Sequence, residues 1–406
     1  MSAPGALPQV SEILPQDDHA RLIGRVLIAN SVPIPVLVRG NDVWDLRPLA
    51  ATVSQVLERP DLVAALDEVI TRTPLSGIDH IRGEANDNGH GARDSLILLS
   101  PVDLQVIKAC GVTFAGSMLE RLIEERSAGD PMRANVLRAD IESSGLGDEP
   151  LDLASIVPGS DAAAALKTRL TPAGLWSQYL EVGLGPDPEV FTKAPVLSTV
   201  GSLSHIGIPA FSKWNNPEPE LVLVVSSAGI PVGATLGNDV NLRDVEGRSA
   251  LLLGMAKDNN RSAALGPFVR IFDDAFTLEQ ARTMEINLRV DGADGFVLRG
   301  TNVVAALSRS FEALIGATCG RHHQYPDGFA LFTGTLFAPT EDRDAPGYGF
   351  THHLGDIVTI SSSELGCLVD IVGRSEELTP WTYGLGALLA DHRAGTELKP
   401  TEKNPI

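Results

Sequence analysis

The sequence predicts an α+β protein whose larger part is a mixed domain dominated by β-strands. From about residue 190 onward, short apolar runs of strand length are separated by turns that contain glycine. Two stretches in this region, 242–256 and 302–318, have the apolar spacing of helices instead. Strands are expected at 220–226, 231–238, 264–271, 284–290, 296–299, 328–333, 356–361 and 366–372. Many strands and few helices predict a mixed, β-dominated domain.

A smaller domain with a different pattern is predicted at the N-terminus, because 406 residues favour two domains over one. Residues 20–47 alternate apolar and polar side chains in short runs, which predicts small strands. Residues 49–70 change to helical spacing. Residues 81–95 are polar and rich in glycine, as expected of an exposed connector. We therefore predict a small N-terminal α/β domain with its connector at 1–95, and a second domain at 96–406.

The charge and composition of the chain exclude several classes of partner. The chain has 32 basic and 52 acidic residues, and its formal net charge of -20 repels nucleic acids and anionic membranes. Its longest aliphatic run, 221–225, is too short to span a bilayer, and its start does not resemble a secretory signal. Three cysteines without a CxxC pair argue against a zinc site or a disulfide framework. We expect a cytoplasmic protein without a nucleic-acid or membrane partner.

Two glutamates at the start of a predicted strand are the first candidates for a functional site. Glu218 and Glu220 are two residues apart, so their side chains point to the same face of the strand. If the following turn is centred on 228–229, the hairpin pairs Glu220 with Gly237 and Glu218 with Asp239. Three carboxylates then share one patch.

A patch of three carboxylates is typical of a binding site for a divalent cation. Like charges directly opposite one another destabilise a sheet, and a hard cation removes their repulsion. Mg²⁺ suits such ligands, and three carboxylates leave about three octahedral positions open. The carboxylate and keto oxygens of a 2-oxo acid can fill two of them. The alternative, an acidic strand entrance that faces solvent, is the commoner explanation of two glutamates alone.

The residues around these carboxylates form a wider pattern. The motifs are Glu218-x-Glu220, Gly237-Asn238-Asp239, Arg243-Asp244, Lys257, Gly266-Pro267, Leu331-Phe332-Thr333-Gly334-Thr335 and Gly355-Asp356-x-Val358. Together they resemble the fumarylacetoacetate hydrolase superfamily over roughly residues 100–375. The resemblance implies a twisted mixed β-roll, a Mg²⁺ or Mn²⁺ ion held by the two glutamates and the aspartate, and a homodimer or dimer-based oligomer. The domain at 96–406 is then the metal-dependent catalytic domain.

The family's hydrolases carry a histidine and a glutamate three residues apart in a short lid helix. The matching segment, 111–120, retains the glutamate as Glu120 but has Ser117 in place of the histidine. Serine cannot act as a general base near neutral pH without a partner, so hydrolysis by this route is disfavoured. By the family pattern, Glu120 is a candidate catalytic residue and Ser117 a candidate substrate contact. Ion pairing within a charged helix is the alternative role of Glu120.

A second set of segments resembles the 2-keto-3-deoxypentonate dehydratase branch of this family. These segments are 176–181, 188–193, 213–216 and 324–329. The resemblance implies that Glu189 reaches the active site, and that the substrate is a small 2-oxo acid, 2-keto-3-deoxy-D-pentonate, which is dehydrated to 2,5-dioxopentanoate. The alternatives are a C–C hydrolase or decarboxylase of acylpyruvate-type β-dicarbonyl acids, and a metal-binding protein without catalytic activity.

Four side chains are candidates for roles in the dehydratase reaction. Lys257 is the candidate base for the C3 proton, provided that its pKa is lowered, and Glu189 is the candidate acid for the C4 hydroxyl. These two roles can be exchanged. Lys193 is a candidate substrate contact or an ordinary surface charge. Thr335 is a candidate ligand of the substrate carboxylate by the family pattern, or a turn residue.

Overall fold

The computed structural model describes residues 7–28, 32–86, 96–144, 153–173, 176–336, 339 and 341–397. Its strands are β1 (Leu22–Ile28), β2 (Pro33–Arg39), β3 (Asp42–Asp45), β4 (Ser76–Gly77), β5 (Ile81–Arg82), β6 (Leu96–Leu99), β7 (Val106–Gly111), β8 (Glu189–Ala194), β9 (Ser204–Ile208), β10 (Asn215–Asn216), β11 (Pro219–Val225), β12 (Pro231–Asp239), β13 (Asn241–Leu242), β14 (Ala263–Ile271), β15 (Glu285–Asp291), β16 (Val297–Val303), β17 (Phe329–Phe332), β18 (Ile357–Ser362) and β19 (Gly366–Arg374). Its α-helices are α1 (Val53–Leu57), α2 (Leu62–Ile70), α3 (Ala115–Ser127), α4 (Pro131–Ser144), α5 (Asp161–Leu170), α6 (Gln178–Leu184), α7 (Arg243–Glu246), α8 (Leu253–Lys257), α9 (Leu278–Arg282), α10 (Phe311–Thr318) and α11 (Leu385–Glu397). Short 3-10 turns lie at Val10–Ile13, Ile78–His80, Glu84–Asn86, Leu153–Ser155, Thr171–Ala173, Ala250–Leu252 and Val304–Ala306.

The strands form two large mixed sheets. In the described residues, a 12-stranded sheet has the order β4-β3-β2-β1-β14-β12-β11-β17-β7-β8, with β6 paired to β1 and β5 paired to β6. A 5-stranded sheet has the order β16-β15-β18-β19-β9. Most neighbours are antiparallel, whereas β17 pairs with β7, β19 with β9 and β5 with β6 in parallel. The predicted α+β class with a mixed sheet is therefore confirmed.

Strand β11 lies between two apolar cores. Leu221 and Leu223 pack with residues of the smaller sheet, such as Leu288 and Ile360. Val222, on the opposite face, packs into a core that contains helices α1 and α2. A strand that is covered on both faces needs apolar residues at successive positions, which explains the run from 221 to 225. This double burial fixes the strand that carries Glu218 and Glu220 at its start.

Two predicted helices are shorter than expected. The stretch 242–256 is broken into α7, a 3-10 turn and α8, because the chain passes close to helix α3 at Gly247. A Cβ atom at Gly247 would lie 3.1 Å from the carbonyl oxygen of Glu124 in α3. The stretch 302–318 begins as the end of β16, and helix α10 begins only after Ser310, whose hydroxyl accepts a hydrogen bond from the N–H of Ala313. Both differences come from local caps and contacts that the apolar spacing does not report.

The N-terminal strands belong to the same large sheet as the strands of the C-terminal part. Strand β1 pairs with β14, where Leu22 lies opposite Arg270. The residues 87–95 of the predicted connector lie outside the described part of the chain. The domain boundary after residue 95 stays a prediction. Among the helices that the structure describes, none has the length and apolar character needed to cross a bilayer.

Candidate metal and substrate site

The pairing of β11 with β12 brings three carboxylates together. Glu220 lies opposite Gly237, and the N–H of Asp239 donates to the carbonyl oxygen of Glu218 across 3.0 Å. The predicted register is therefore confirmed. Nearer the turn the pairing is offset by one residue, and an extra residue at Val232 restores the predicted register.

The three predicted ligands form one buried group. Glu218 is 3% exposed, and Glu220 and Asp239 are each 2% exposed. One carboxylate oxygen from each residue lies within 4.8 Å of the others. Their burial excludes the alternative of an acidic strand entrance that faces solvent. Such a cluster of hard oxygen atoms suits a divalent cation such as Mg²⁺.

Two lysines lie against this carboxylate group. The Nζ atom of Lys257 lies 2.5 Å from Oε2 of Glu218 and 3.0 Å from Oδ2 of Asp239. Burial alone lowers the pKa of Lys257, but Asp239 and Glu218 outweigh it, so its pKa is raised. The lowered pKa that a Lys257 base requires is therefore not found in the protein without its cation. Lys193 is fully buried, with Nζ 2.8 Å from Oδ1 of Asp239, and burial lowers its pKa. Its burial excludes the alternative of a surface charge.

Glu220 has different partners from the other two carboxylates. Its Oε2 atom accepts a hydrogen bond of 2.6 Å from the N–H of Gly334, and it makes no ion pair within the described residues. Burial and the neighbouring carboxylates raise the pKa of Glu220 well above its ordinary value. Gly334 has φ +99, and a Cβ atom there would lie 1.9 Å from Oγ1 of Thr113. Glycine is thus required beside Thr335, which lines the cavity of the carboxylates.

Glu189 lines the same cavity from strand β8. It lies opposite Gly111 on β7, and a Cβ atom at Gly111 would lie 2.0 Å from Oε2 of Glu189. The glycine therefore leaves room for this carboxyl group. Burial, and secondarily the nearby Glu246, raise the pKa of Glu189 to about 7. A carboxyl with such a pKa can donate or accept a proton near neutral pH.

The two candidates from the lid segment lie on helix α3. The hydroxyl of Ser117 donates to the carbonyl oxygen of Phe114 across 2.8 Å, and the residue lines the cavity. The carboxylate of Glu120 accepts two hydrogen bonds from Arg138 on α4 and lies 3.4 Å from Arg243. Glu120 therefore pairs with other helices rather than within α3. It lines a cleft that adjoins the cavity.

Residues 177–372 match the sequence profile of the fumarylacetoacetate (FAA) hydrolase C-terminal domain. This part of the chain is a fumarylacetoacetate hydrolase family domain. The family that the motifs predicted is confirmed, and its C-terminal domain contains the three carboxylates, Lys257 and Glu189.

Two curated relatives of the family domain are named as dehydratases. The chain is 31% identical over 194 residues to a probable 2-keto-3-deoxyxylonate dehydratase of Haloferax volcanii, an alignment that covers 48% of this chain and 63% of the relative. It is 30% identical over 192 residues to a 2-dehydro-3-deoxy-D-arabinonate dehydratase of Saccharolobus solfataricus, covering 47% and 61%. The chain thus spans less than two thirds of the length of these relatives.

Solved structures of the family have the same fold. One is 2-keto-3-deoxy-D-arabinonate dehydratase complexed with magnesium and 2,5-dioxopentanoate, with a TM-score of 0.59 and 21% identity, covering 87% of this chain and 99% of the other. Another is fumarylacetoacetate hydrolase from Exiguobacterium antarcticum, with a TM-score of 0.51 and 15% identity, covering 87% and 100%. The predicted roll of the family is confirmed by this likeness.

Arg121 is a site residue that the sequence pattern did not single out. Its Nη2 atom lies 2.6 Å from Oε1 of Glu218, and its Nη1 atom lies 2.7 Å from Glu124 and 2.8 Å from Glu246. Burial lowers the pKa of Arg121, but these carboxylates outweigh it and raise the pKa. Its spacing of four residues from Ser117 places both on one face of the helix, and this was the available signal.

Proposed function

We propose that this protein is a Mg²⁺-dependent dehydratase that converts 2-keto-3-deoxy-D-pentonate into 2,5-dioxopentanoate. The observation that carries the proposal is one cavity that holds three buried carboxylates together with Glu189, a carboxyl of pKa about 7. The names of both curated relatives agree with this reaction. So does the magnesium and 2,5-dioxopentanoate bound in a structure of the same fold.

The carboxylate group fits a divalent cation on its own geometry. Glu218, Glu220 and Asp239 supply three oxygen atoms within 4.8 Å of one another. Glu220 makes no ion pair within the described residues, and burial, Asp239 and Glu218 raise its pKa, so an ion at this place relieves the repulsion among the three carboxylates. When bound, Mg²⁺ or Mn²⁺ supplies Lewis acidity that stabilises negative charge on the oxygen atoms of a 2-oxo acid.

The proton transfers fall to two side chains at the cavity. Glu189, protonated below about pH 7, is assigned to the C4 hydroxyl, which leaves as water. Lys257 is assigned to the C3 proton, because its Nζ atom lies between two of the ligands. This role requires that a bound cation would offset Asp239 and Glu218, the two carboxylates that raise the pKa of Lys257. The exchanged assignment, with Glu189 as base and Lys257 as acid, predicts the opposite pH dependence, because a base must be deprotonated.

Four other predicted residues take supporting roles in this proposal. Ser117 and Thr335 line the cavity and are assigned to the substrate carboxylate, for which the Ser117 hydroxyl would exchange its hydrogen bond to Phe114. Lys193 lies behind Asp239 and holds that ligand in place. Glu120 lies in the adjoining cleft, and remains a candidate for a catalytic role there.

The alternative is cleavage or decarboxylation of acylpyruvate-type β-dicarbonyl acids. The cavity is lined by no histidine among the described residues, and Ser117 is bonded to the backbone of Phe114. A water-activating base of the family's hydrolase type is therefore not found at the matching position, and the dehydratase is the better supported function.

We also propose that the protein is cytoplasmic and forms a homodimer or a dimer-based oligomer. Four large apolar side chains, which belong to Met132, Phe211, Met255 and Tyr348, surround one surface cavity and are each 43% to 49% exposed. Apolar surface of this kind favours self-association. Light scattering of the wild type and of Phe211→Glu tests this, since a dimer through this face dissociates in the variant.

The decisive experiment is a coupled assay of the purified protein. With Mg²⁺ and 2-keto-3-deoxy-D-pentonate, formation of 2,5-dioxopentanoate is followed through a semialdehyde dehydrogenase. We expect turnover that is lost in EDTA and recovered with Mg²⁺. Absence of turnover, together with release of pyruvate from acylpyruvates, would establish the hydrolase instead.

A further inference from the structure

The ladder that holds the metal ligands continues into a pair of asparagines. Strands β10 and β13 place Asn216 directly opposite Asn241. This pair has the same register as Glu220 with Gly237 on the adjoining hairpin. Asn216 comes two residues before Glu218, and Asn241 comes two residues after Asp239.

This spacing places the asparagines on the same face as the carboxylates. Residues two apart on an extended chain share a face and are about 7 Å apart. Residues directly opposite each other have Cβ atoms about 5 Å apart. The cleft beside the metal cavity agrees with this placement, because Asn216, Asn241 and Glu218 line it together.

The side-chain amides of both residues are buried with unused hydrogen-bonding capacity. Asn241 is 0% exposed, and neither its Oδ1 nor its Nδ2 has a hydrogen-bond partner in the described part of the chain. Asn216 is 2% exposed; its Nδ2 donates to the carbonyl oxygen of Pro217, but its Oδ1 has no partner there. Burying such groups without partners costs free energy, so a ligand that bonds them gains affinity.

The cleft and the metal cavity adjoin each other. They share four lining residues, which are Ser117, Arg121, Glu218 and Thr335. A molecule anchored at the carboxylates can therefore extend along the ladder toward the amide pair. The pair is neutral and offers both donors and acceptors, which matches hydroxyl groups rather than a second carboxylate or an alkyl chain.

We propose that Asn216 and Asn241 form a subsite that binds the hydroxylated C4–C5 end of the 2-oxo acid substrate. This inference rests on the proposed function for the identity of the substrate. The metal end of the site binds the 2-oxo acid group common to many compounds, and the amide pair selects the polyhydroxylated ones. A buried site built to bond a hydroxyl discriminates strongly against an analogue that lacks it.

The first test compares two ligands on the unmutated protein. Calorimetry with Mg²⁺ present measures the Kd of pyruvate, which has only the 2-oxo acid group, and of 2-keto-3-deoxy-D-pentonate; if heat of turnover interferes, competition against pyruvate replaces direct titration. We expect the hydroxylated acid to bind at least tenfold tighter. Equal affinities would overturn the subsite, whether or not the pentonate is turned over. Tighter binding without turnover would retain the subsite and reject the dehydratase.

The second test removes the amides. Asn241→Leu and Asn216→Leu are expected to lower kcat/KM for the pentonate, or its affinity if turnover is absent, by at least 20-fold. The Kd values of Mg²⁺ and pyruvate should change less than twofold. Asn215→Leu is the matched control, since Asn215 is buried beside Asn216 but its amide already donates a hydrogen bond to the hydroxyl of Ser212.

A direct measure of the contact uses the 5-deoxy analogue of the pentonate. If the amides bond the C5 hydroxyl, the wild type loses affinity for the analogue and the two variants bind both compounds equally. An equal loss of pyruvate and pentonate binding in both variants, or an equal loss of pentonate binding in the Asn215 control, would contradict the proposal. Melting curves establish that each variant is folded before it is measured.

Discussion

The guanidinium group of Arg121 lies 2.6 Å from Oε1 of Glu218, so helix α3 is bonded directly to a metal ligand. The side chain of Arg121 is 13% exposed, and it also forms ion pairs with Glu124 and Glu246. One cation thus compensates three buried carboxylates that come from three different parts of the chain. Its removal is expected to affect stability as well as the site.

Arg121→Met is predicted to lower the free energy of unfolding by about 3 kcal/mol at neutral pH, because the buried Glu246 loses its ion pair and Glu124 and Glu218 each lose one of two. Urea denaturation of the metal-free protein measures this loss. Arg72→Met is the matched control, since Arg72 and Glu68 form a pair with side chains 44% and 72% exposed. That change should cost less than about 1 kcal/mol. If Arg121→Met lowers the free energy of unfolding no more than Arg72→Met does, the ion pairs of Arg121 do not stabilise the fold in this way.

Glu220→Gln is predicted to abolish turnover and to weaken Mg²⁺ binding more than tenfold. The amide cannot replace a charged ligand, although its oxygen can still accept the hydrogen bond from Gly334. Because burial and the neighbouring carboxylates already favour the neutral form of Glu220 in the metal-free protein, its replacement by a neutral amide should lower metal-free stability by less than about 1 kcal/mol, or raise it. Calorimetric titration with Mg²⁺ and a melting curve check both parts. Full turnover in this variant would reject the metal assignment.

Mg²⁺ is predicted to stabilise the wild type more than the Glu220→Gln protein at the same concentration, by at least about 1.4 kcal/mol for a tenfold weaker site. An ion present at 100 times its Kd adds about 2.7 kcal/mol to the free energy of unfolding, if it binds the folded state alone. Denaturation with Mg²⁺ and with EDTA gives the difference. Equal stabilisation of both proteins would place the ion elsewhere.

The value of kcat/KM is predicted to fall as the pH rises through about 7. Glu189 has a pKa raised to about 7, so its protonated form, required of an acid, is present below this pH and lost above it. Glu189→Gln should lower kcat/KM by at least 100-fold and remove this limb of the profile. If the wild type instead shows a limb that rises through about 7, and the variant lacks it, Glu189 is the base and its role is exchanged with that of Lys257.

Gly334→Ala is predicted to lower the free energy of unfolding by about 3 kcal/mol and to impair Mg²⁺ binding through Glu220. The new Cβ atom would meet Oγ1 of Thr113 at 1.9 Å, and the φ of +99 is unfavourable for alanine. Gly229→Ala is the control, because Gly229 has φ +75 but nothing within 4 Å of its Cβ position. It should cost about 1 kcal/mol and leave Mg²⁺ affinity unchanged. Similar costs in both variants would mean that strain, and not the contact, decides.

The sequence was sufficient for the carboxylate group because that part of the site depends on local rules. Side chains alternate along a strand, and a hairpin register connects Glu218 with Asp239 through residues close in sequence. The family pattern added Glu189 and Thr335, both of which line the cavity. These residues could be named before any coordinates.

The parts of the site that were missed, and the surroundings of predicted residues that were not foreseen, depend on packing between distant segments. The spacing from Ser117 marks the face of α3 on which Arg121 lies, but it does not identify Glu218, 97 residues away in sequence, as the partner. The sequence predicts Lys193 as a substrate contact or a surface charge, but it does not predict the complete burial of this side chain against Asp239. The raised pKa of Lys257 likewise reflects neighbours 18 and 39 residues away.

Because of the bulge at Val232, the number of residues in the hairpin tip does not determine the position of the carboxylates. One residue is absorbed between the tip and the site, so Glu220 still faces Gly237. A shift of one residue without such compensation would turn every side chain of β12 to the opposite face and carry Asp239 away from its partners. An insertion or deletion of one residue at the tip is therefore tolerated when a bulge absorbs the shift in register. Without such a bulge, the same change abolishes metal binding.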